Sequence, residues 1–235
     1  MKSKQNILFL LVLGLLCILM ASCNKEKEEP YQVMTDIDGN VYHTITIDDQ
    51  VWMAENLKTT RYRNGDTIAH REGNQWAGVS FGAWCHYNDD KELETMYGKL
   101  YNGHAVNDPR NIAPEGWHVP TPEEWWALSA FVSRNTGISG SLAKALAAKN
   151  FWAASTLGNT AGNNPQTNNS TGFNALPGGF RKPDSSFGPR SFDYDGYWWS
   201  SGNMVLNINY NNPEPNVLPE SNPGFGYSVR CVKDK

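Results

Sequence analysis

The sequence predicts a loop-rich α+β domain, on three observations. A strand–turn–strand signal stands near the start, a fully capped helix start stands in the middle, and turn-forming residues are abundant throughout. Gly supplies 21 and Pro 13 of the 235 residues, and Asn recurs in pairs such as Asn163-Asn164 and Asn168-Asn169. Such residues set turns, because Gly and Asn tolerate positive φ and Pro fixes φ near the turn value. Nine Trp, ten Tyr and nine Phe exclude intrinsic disorder, since rings of that number can bury a real core. With strands and helices that do not alternate, the expected sheets are short and antiparallel.

The first strand is predicted over Val41–Ile47. Val41, His43, Ile45 and Ile47 fall on one face, and Tyr42, Thr44 and Thr46 on the other, the period-2 pattern of a half-buried strand. Asp38-Gly39 precedes it, Asp48-Asp49 follows it, and Val51-Trp52-Met53 reads as the returning arm of a hairpin. Asp36-Ile37-Asp38-Gly39-Asn40 has the start of a calcium loop, but the twelfth position, where a bidentate Glu is needed, is Ile47. The segment is therefore a turn.

The helix start lies in Val119-Pro120-Thr121-Pro122-Glu123-Glu124-Trp125. Thr121 is placed as N-cap, Pro122 at the first helical position, and Glu124 closes a capping box. Trp125, Leu128 and Val132 then share one face until Asn135-Thr136-Gly137. A second, Ala- and Lys-rich helix is expected over 142–149, a loop over 153–172, a strand over 204–210 and a last strand over 227–232. No composition break divides the chain after its leader, so a single domain over 35–235 is expected.

The leader reads as an address. Lys2 and Lys4 precede an apolar run from Ile7 to Met20, too short to span a bilayer as a helix but suited to a signal peptide. The run ends in Met20-Ala21-Ser22-Cys23, which resembles a bacterial lipobox. Residues 1–22 are then a lipoprotein signal peptide, Cys23 is the lipidated residue, and 23–34, with its NKEKEEP stretch, is an acidic tether. The expected location is the outer membrane, with the lipid as the membrane contact, and the acidic tether resembles an export tag to its outer face. Cys17 leaves with the signal, so Cys85 and Cys231 remain for the domain. In an oxidising compartment an even pair reads as one disulfide, with two buried thiols as the alternative. The net charge is −4, and removing Lys2 and Lys4 leaves the chain more acidic still, the wrong sign for a nucleic-acid binder.

Several motifs invite chemistry. Gly78-Val79-Ser80-Phe81-Gly82 matches G-x-S-x-G, but a nucleophile elbow needs a strand before it and a helix after it. Cys85 and His86 are adjacent, so an extended chain points them to opposite sides. His43, His70, His86, His104 and His118 show no close metal-ligand spacing along the chain. No catalytic residue, cofactor or metal ligand is assigned on these grounds. Glu214-Pro215-Asn216 is the tripeptide with which mannose-type lectins hold calcium and sugar hydroxyls, through hard oxygen ligands; here the downstream Trp-Asn-Asp partner is missing. Trp198-Trp199, if extended, would bury one ring and present the other to a sugar face. Trp198, Trp199, Glu214 and Asn216 are the ligand-binding residues nominated from sequence.

Six ordered stretches, WMAENL (52–57), YGKLYN (97–102), APEGWHVPTPEEW (113–125), GFNALPGGFR (172–181), YWWSS (197–201) and GYSVRCVKD (226–234), resemble the Fibrobacter succinogenes major paralogous domain over about residues 35–234. That family consists of exported bacterial domains, many of them lipoproteins. The resemblance implies a C-type-lectin-like layout, and WHVPTPEEWWAL is similar to a helix start in formylglycine-generating enzymes of the same fold. The expected role is a binding or adhesion module for a glycan or surface protein. A structural part of a surface assembly is the second reading, and an enzyme of the formylglycine-generating fold the last.

Overall fold

The computed structural model describes residues 32–135, 141–188 and 192–235. The expected signal peptide, Cys23 and residues 24–31 of the expected tether lie outside them. Residues Gln32–Lys235 form one compact unit. Its strands are β1 (Val33–Thr35), β2 (Val41–Ile47), β3 (Gln50–Met53), β4 (Ala69–His70), β5 (Ala83–His86), β6 (Lys99–Asn102), β7 (Trp117–His118), β8 (Asp195–Ser200), β9 (Met204–Asn209), β10 (Asn216–Pro219), β11 (Gly226–Tyr227) and β12 (Val232–Lys233). The helices are α1 (Glu94–Tyr97), α2 (Gly103–Val106), α3 (Pro122–Arg134) and α4 (Leu142–Leu146). Among the described residues no helix is long and apolar enough to cross a membrane.

Three sheets result, in the orders β1-β2-β3-β12-β7, β10-β9-β8 and β11-β6-β5-β4. Pairing is antiparallel except between β4 and β5, which gives the loop-rich α+β domain expected. β1 begins at Val33, so Val33 and Met34 belong to the fold and not to the tether; Met34 packs inward beside Tyr42, its partner in the ladder. The β2–β3 hairpin forms as expected, with Asp48 at φ 58° in the turn, where a short polar side chain tolerates the left-handed region.

The buried face of β2 differs from the expected one. Val41 and His43 are exposed, while Tyr42 and, at the far end, Ile47 are buried. The reason is that successive residues feed two different cores. Met53, Trp199, Val205 and Cys231 join Tyr42 in one core, and Trp52, Trp198, Leu206 and Val232 join Ile47 in the other. Strands covered on both sides bury consecutive residues, and alternation of polarity then stops reporting burial.

At α3 the capping box is complete. Thr121 Oγ1 accepts from the Glu124 amide at 3.2 Å, and Glu124 Oε2 accepts from the Thr121 amide at 2.9 Å. Each bond satisfies a backbone donor that the first helical turn leaves unpaired. Trp125, Leu128 and Val132 face the core as expected. α4 stops at Leu146, three residues short of expectation, because Ala147 turns extended and the Ala148 amide donates to Ala175 O at 2.8 Å. The last expected strand divides into β11 and β12, with Cys231 between them.

Candidate ligand groove

The residues nominated from sequence are mostly structural. Trp198 and Trp199 are both 0% exposed, which corrects the expectation of one outward ring. β8 lies between the two cores, so each face of it is dry. Both indoles are also hydrogen-bonded: Trp198 Nε1 donates to Asn56 Oδ1 at 2.9 Å, and Trp199 Nε1 to Tyr101 O at 2.7 Å. Glu214 and Asn216 are exposed, with Asn216 paired to Asn207 at the start of edge strand β10. Among the described residues, Glu214 belongs to no cluster of His, Cys or acidic donors close enough to share a cation.

Cys85 and Cys231 are free and buried, which corrects the expected disulfide in favour of two buried thiols. Cys85 sits in a small third core with Trp76, Tyr87 and Leu100, whereas Cys231 sits in the core of Tyr42 and Met53. Burial pushes the Cys85 thiol up to about 12, against a smaller opposing effect of Arg181. It is therefore a packed thiol and not a thiolate. The G-x-S-x-G stretch also fails as an elbow. A short 3-10 turn at Gly73–Trp76 precedes it and β5 follows it, the reverse of strand–turn–helix. Asp36 has no free capacity for calcium, since its carboxylate accepts from the amides of Asp38 and Asn40, from Asn40 Nδ2 and from Tyr42 Oη.

A groove of about 550 Å³ lies at the junction of β5, β6 and α2, lined by Ser80, Phe81, His104, Asn107, Arg110 and Asn203 among others. Asn102 builds it. Its Oδ1 accepts from the Ala83 amide at 3.0 Å and from the Ala105 amide at 2.9 Å, capping α2, while its Nδ2 donates to Phe81 O at 2.8 Å. One side chain thus holds the Phe81 strand end against the helix start. Gly82 is needed in the same place, because a Cβ there would lie 1.9 Å from Tyr62 Oη.

The walls are polar and preset. Asn107 Nδ2 donates to Gly103 O at 2.8 Å and to Asn203 Oδ1 at 2.9 Å. Arg110 grips Asp108 through two bonds of 2.9 and 2.8 Å, reaches Asp66 at 3.1 Å, and lies 4.1 Å over the Tyr62 ring. Those bonds hold the Asp108 carboxyl below its ordinary value. Phe81 leaves its ring 48% exposed at the rim. A second depression of about 290 Å³ shares Asn107, Asp108 and Pro109 as a common wall and runs on to His118 and Ser201. An exposed ring beside fixed amides and a fixed guanidinium can stack on one flat face of a ligand and hydrogen-bond its polar edge.

Sequence reasoning missed this groove, since its parts lie at 80–82, 103–110, 203 and 223 and meet only in the fold. It also missed Trp126, the largest exposed ring at 55%, on the outer side of α3; its place off the Trp125–Leu128–Val132 stripe was the available signal. One set of metal-capable donors is present among the described residues: His70, Glu72 and His86 have ligand atoms within 4.8 Å of one another.

Neither the curated proteins nor the solved structures include a match to the chain. The model of the Fibrobacter succinogenes major domain matches residues 45–233, most of the compact unit and all six motifs but for the last residue of the sixth, and the chain belongs to that family.

Proposed function

We propose that the chain is exported, is held to the outer membrane by lipid on Cys23, and acts as a binding or adhesion module, not as an enzyme. The ligand is a glycan or a surface protein. The observation that supports this reading is the groove, in which an exposed Phe81 ring stands beside preset amides and Arg110 on a rigid base. Flat C–H faces of a sugar ring stack on such a ring, and Asn107 and Asn203 offer both donors and acceptors to hydroxyls. The adjoining depression extends the surface in the manner that a chain of sugars needs. The enzyme reading would require a reactive thiol, and the Cys85 thiol is buried with its proton held.

A structural role in a surface assembly has its own support. β1 is the edge strand of the largest sheet, and Val33, Ile37 and Val41 are exposed beside it. An edge of that kind accepts a strand from a partner.

The test is a broad glycan array probed with the chain in detergent micelles, with and without calcium. Binding that is independent of calcium and falls at least tenfold in Phe81→Ala and Asn107→Ala, but not in Trp126→Ala, supports the groove. Binding that needs calcium and is lost in Glu214→Ala moves the site to the tripeptide. A blank array from folded protein overturns the glycan reading and leaves the β1 edge and a protein partner. Labelling with a palmitate analogue that survives Cys23→Ala would overturn the anchor.

A further inference from the structure

We propose that His70, Glu72 and His86 form a binding site for a divalent transition metal of the zinc class. The proposal does not depend on the groove reading.

The site follows from the parallel pairing of β4 with β5. β4 and β5 pair with Ala69 opposite Ala83 and His70 opposite Trp84. Side chains two apart on a strand share a face, so His70 and Glu72 stand on the same face as Trp84 and His86. The register then sets Glu72 against His86. The contacts agree: Glu72 Oε1 lies 2.8 Å from His70 Nε2 and 2.6 Å from His86 Nδ1. His70 at the end of β4, the extended Glu72 that follows it, and Trp-x-His on the parallel neighbour therefore bring two imidazoles and a carboxylate to one point, although the histidines are 16 positions apart in sequence.

Two imidazoles and one carboxylate are a common donor set for zinc with an open fourth position. Zinc bonds of about 2.0–2.1 Å need donor atoms about 3.3 Å apart in a tetrahedron, so the spacings of 2.8 and 2.6 Å to Glu72 have to widen by about 0.5 and 0.7 Å, from a set already within 4.8 Å of one another. His70 and Glu72 can supply that movement, since their side chains are 43% and 35% exposed, whereas His86 is held at 6%. The exposed pair also provides the entry path and leaves the fourth position facing solvent.

The surroundings are those of a metal site. A histidine ligand ordinarily passes its second ring N–H to a carboxylate, which fixes its orientation. His86 Nε2 lies 2.8 Å from Glu94 Oε2, and the other oxygen of Glu94 is 2.7 Å from Lys99 Nζ. The His70 ring is oriented by stacking on Trp84, with centroids 4.0 Å apart and planes 10° from parallel. Lys99 pairs with Glu94 on the far side of His86, and the Arg71 guanidinium donates to His70 O at 2.8 Å, so with neutral imidazoles the Glu72 and Glu94 carboxylates are matched by two nearby cations. One carboxylate among nitrogen donors favours a transition metal over calcium or magnesium, which take oxygen sets.

The experiment uses the full chain in detergent micelles, stripped with EDTA and titrated with Zn²⁺ in competition with a chromophoric chelator. The expected result is one equivalent in the wild type that is lost in His70→Ala, a surface substitution that leaves the far-UV circular dichroism unchanged. Glu94→Gln, outside the donor set, should weaken binding about 10- to 100-fold. His43→Ala should leave it unaltered, and excess Ca²⁺ should not displace the metal. Absence of Zn²⁺ binding in the wild type, or equal binding in the wild type, His70→Ala and Glu72→Gln, overturns the proposal.

Discussion

Asn56 and Arg230, 174 positions apart in the chain, meet in the core through a 2.9 Å bond from Arg230 Nη2 to Asn56 Oδ1. Arg230 is 1% exposed, and among the described residues its hydrogen bonds go to neutral acceptors, with Glu55 acting on it only through its charge. Its other bonds run from Nε to the same Asn56 oxygen at 3.2 Å and from Nη1 to Phe173 O, with the guanidinium 4.3 Å over the Phe173 ring. Asn56 also accepts from Trp198 Nε1 at 2.9 Å and donates to Tyr97 O at 2.9 Å and Ser228 Oγ at 3.3 Å. The Asn56 amide therefore joins four of the six family motifs directly, and Arg230 adds a fifth through Phe173 O. Much of the motif set is accounted for by a buried polar network, which leaves ligand chemistry to the loops.

Asn56→Leu should be the most damaging single substitution in that network. It strands a buried guanidinium, which burial already pushes down to about 9, and an indole N–H. Removing one partner of a buried charge costs about 3–5 kcal/mol. Arg230→Met, which removes the charge itself, should cost less, because replacing a buried charge by an apolar group of similar volume is often nearly neutral. Urea unfolding of the two variants checks the order, and the reverse order would show that Asn56 is not the hub.

This network also shows how far the sequence could be read. The capping box at Thr121 and Glu124 and the hairpin at Asp48 were legible because their partners are local, three residues apart in the cap and three to nine in the hairpin. Trp198 and Trp199 were not, because a strand between two cores gives the same sequence pattern as one with a single wet face. The Cys85–Cys231 expectation rested on parity alone, which carries no geometry. The groove and the His70–Glu72–His86 cluster come from segments brought together by β5 pairing with β4 and β6; only His-x-Glu gave a local sign.

At Gly98 a methyl group meets both backbone strain and a close approach. Its φ of 69° and ψ of −152° lie in a region that only glycine populates. A Cβ would also stand 2.8 Å from Asn56 Cβ and 2.9 Å from Leu57 O. Overpacking alone costs about 1–3 kcal/mol, and the backbone strain adds to it. Gly98→Ala should thus lower the urea midpoint by more than Gly116→Ala, whose Cβ meets open space at a comparable φ of 75°.

The two thiols should be silent in the folded state. Cys85 and Cys231 are both free and fully buried, so a thiol reagent added to native protein should leave both unmodified, and the same reagent in urea should label both. Reductant should leave the melting temperature unchanged. A lower melting temperature in reductant, with two fewer labelled thiols in urea without it, would restore the disulfide.

His118 sets a pH dependence whose sign is fixed. Its Nδ1 lies 2.6 Å from Asp234 Oδ1, and its Nε2 lies 2.9 Å from each oxygen of Glu124. The bond to Glu124 raises the His118 pKa above its ordinary 6.5, with burial opposing and Asp234 assisting. For Glu124, burial acts upward, but the bonds from His118 and the Thr121 amide outweigh it and leave the carboxyl below 4.5. A raised histidine contributes stability that is fully present below 6.5 and is lost as pH climbs through the folded value. A lowered carboxyl contributes stability present above 4.5 and lost as pH falls through its folded value. The pair therefore holds β7, the start of α3 and the C-terminal segment together best between about pH 4.5 and 6.5. The difference in melting temperature between wild type and His118→Gln should be largest in that window and shrink towards pH 9. A difference that stays constant or grows from pH 6.5 to 9 would mean that His118 contributes by packing and not by charge.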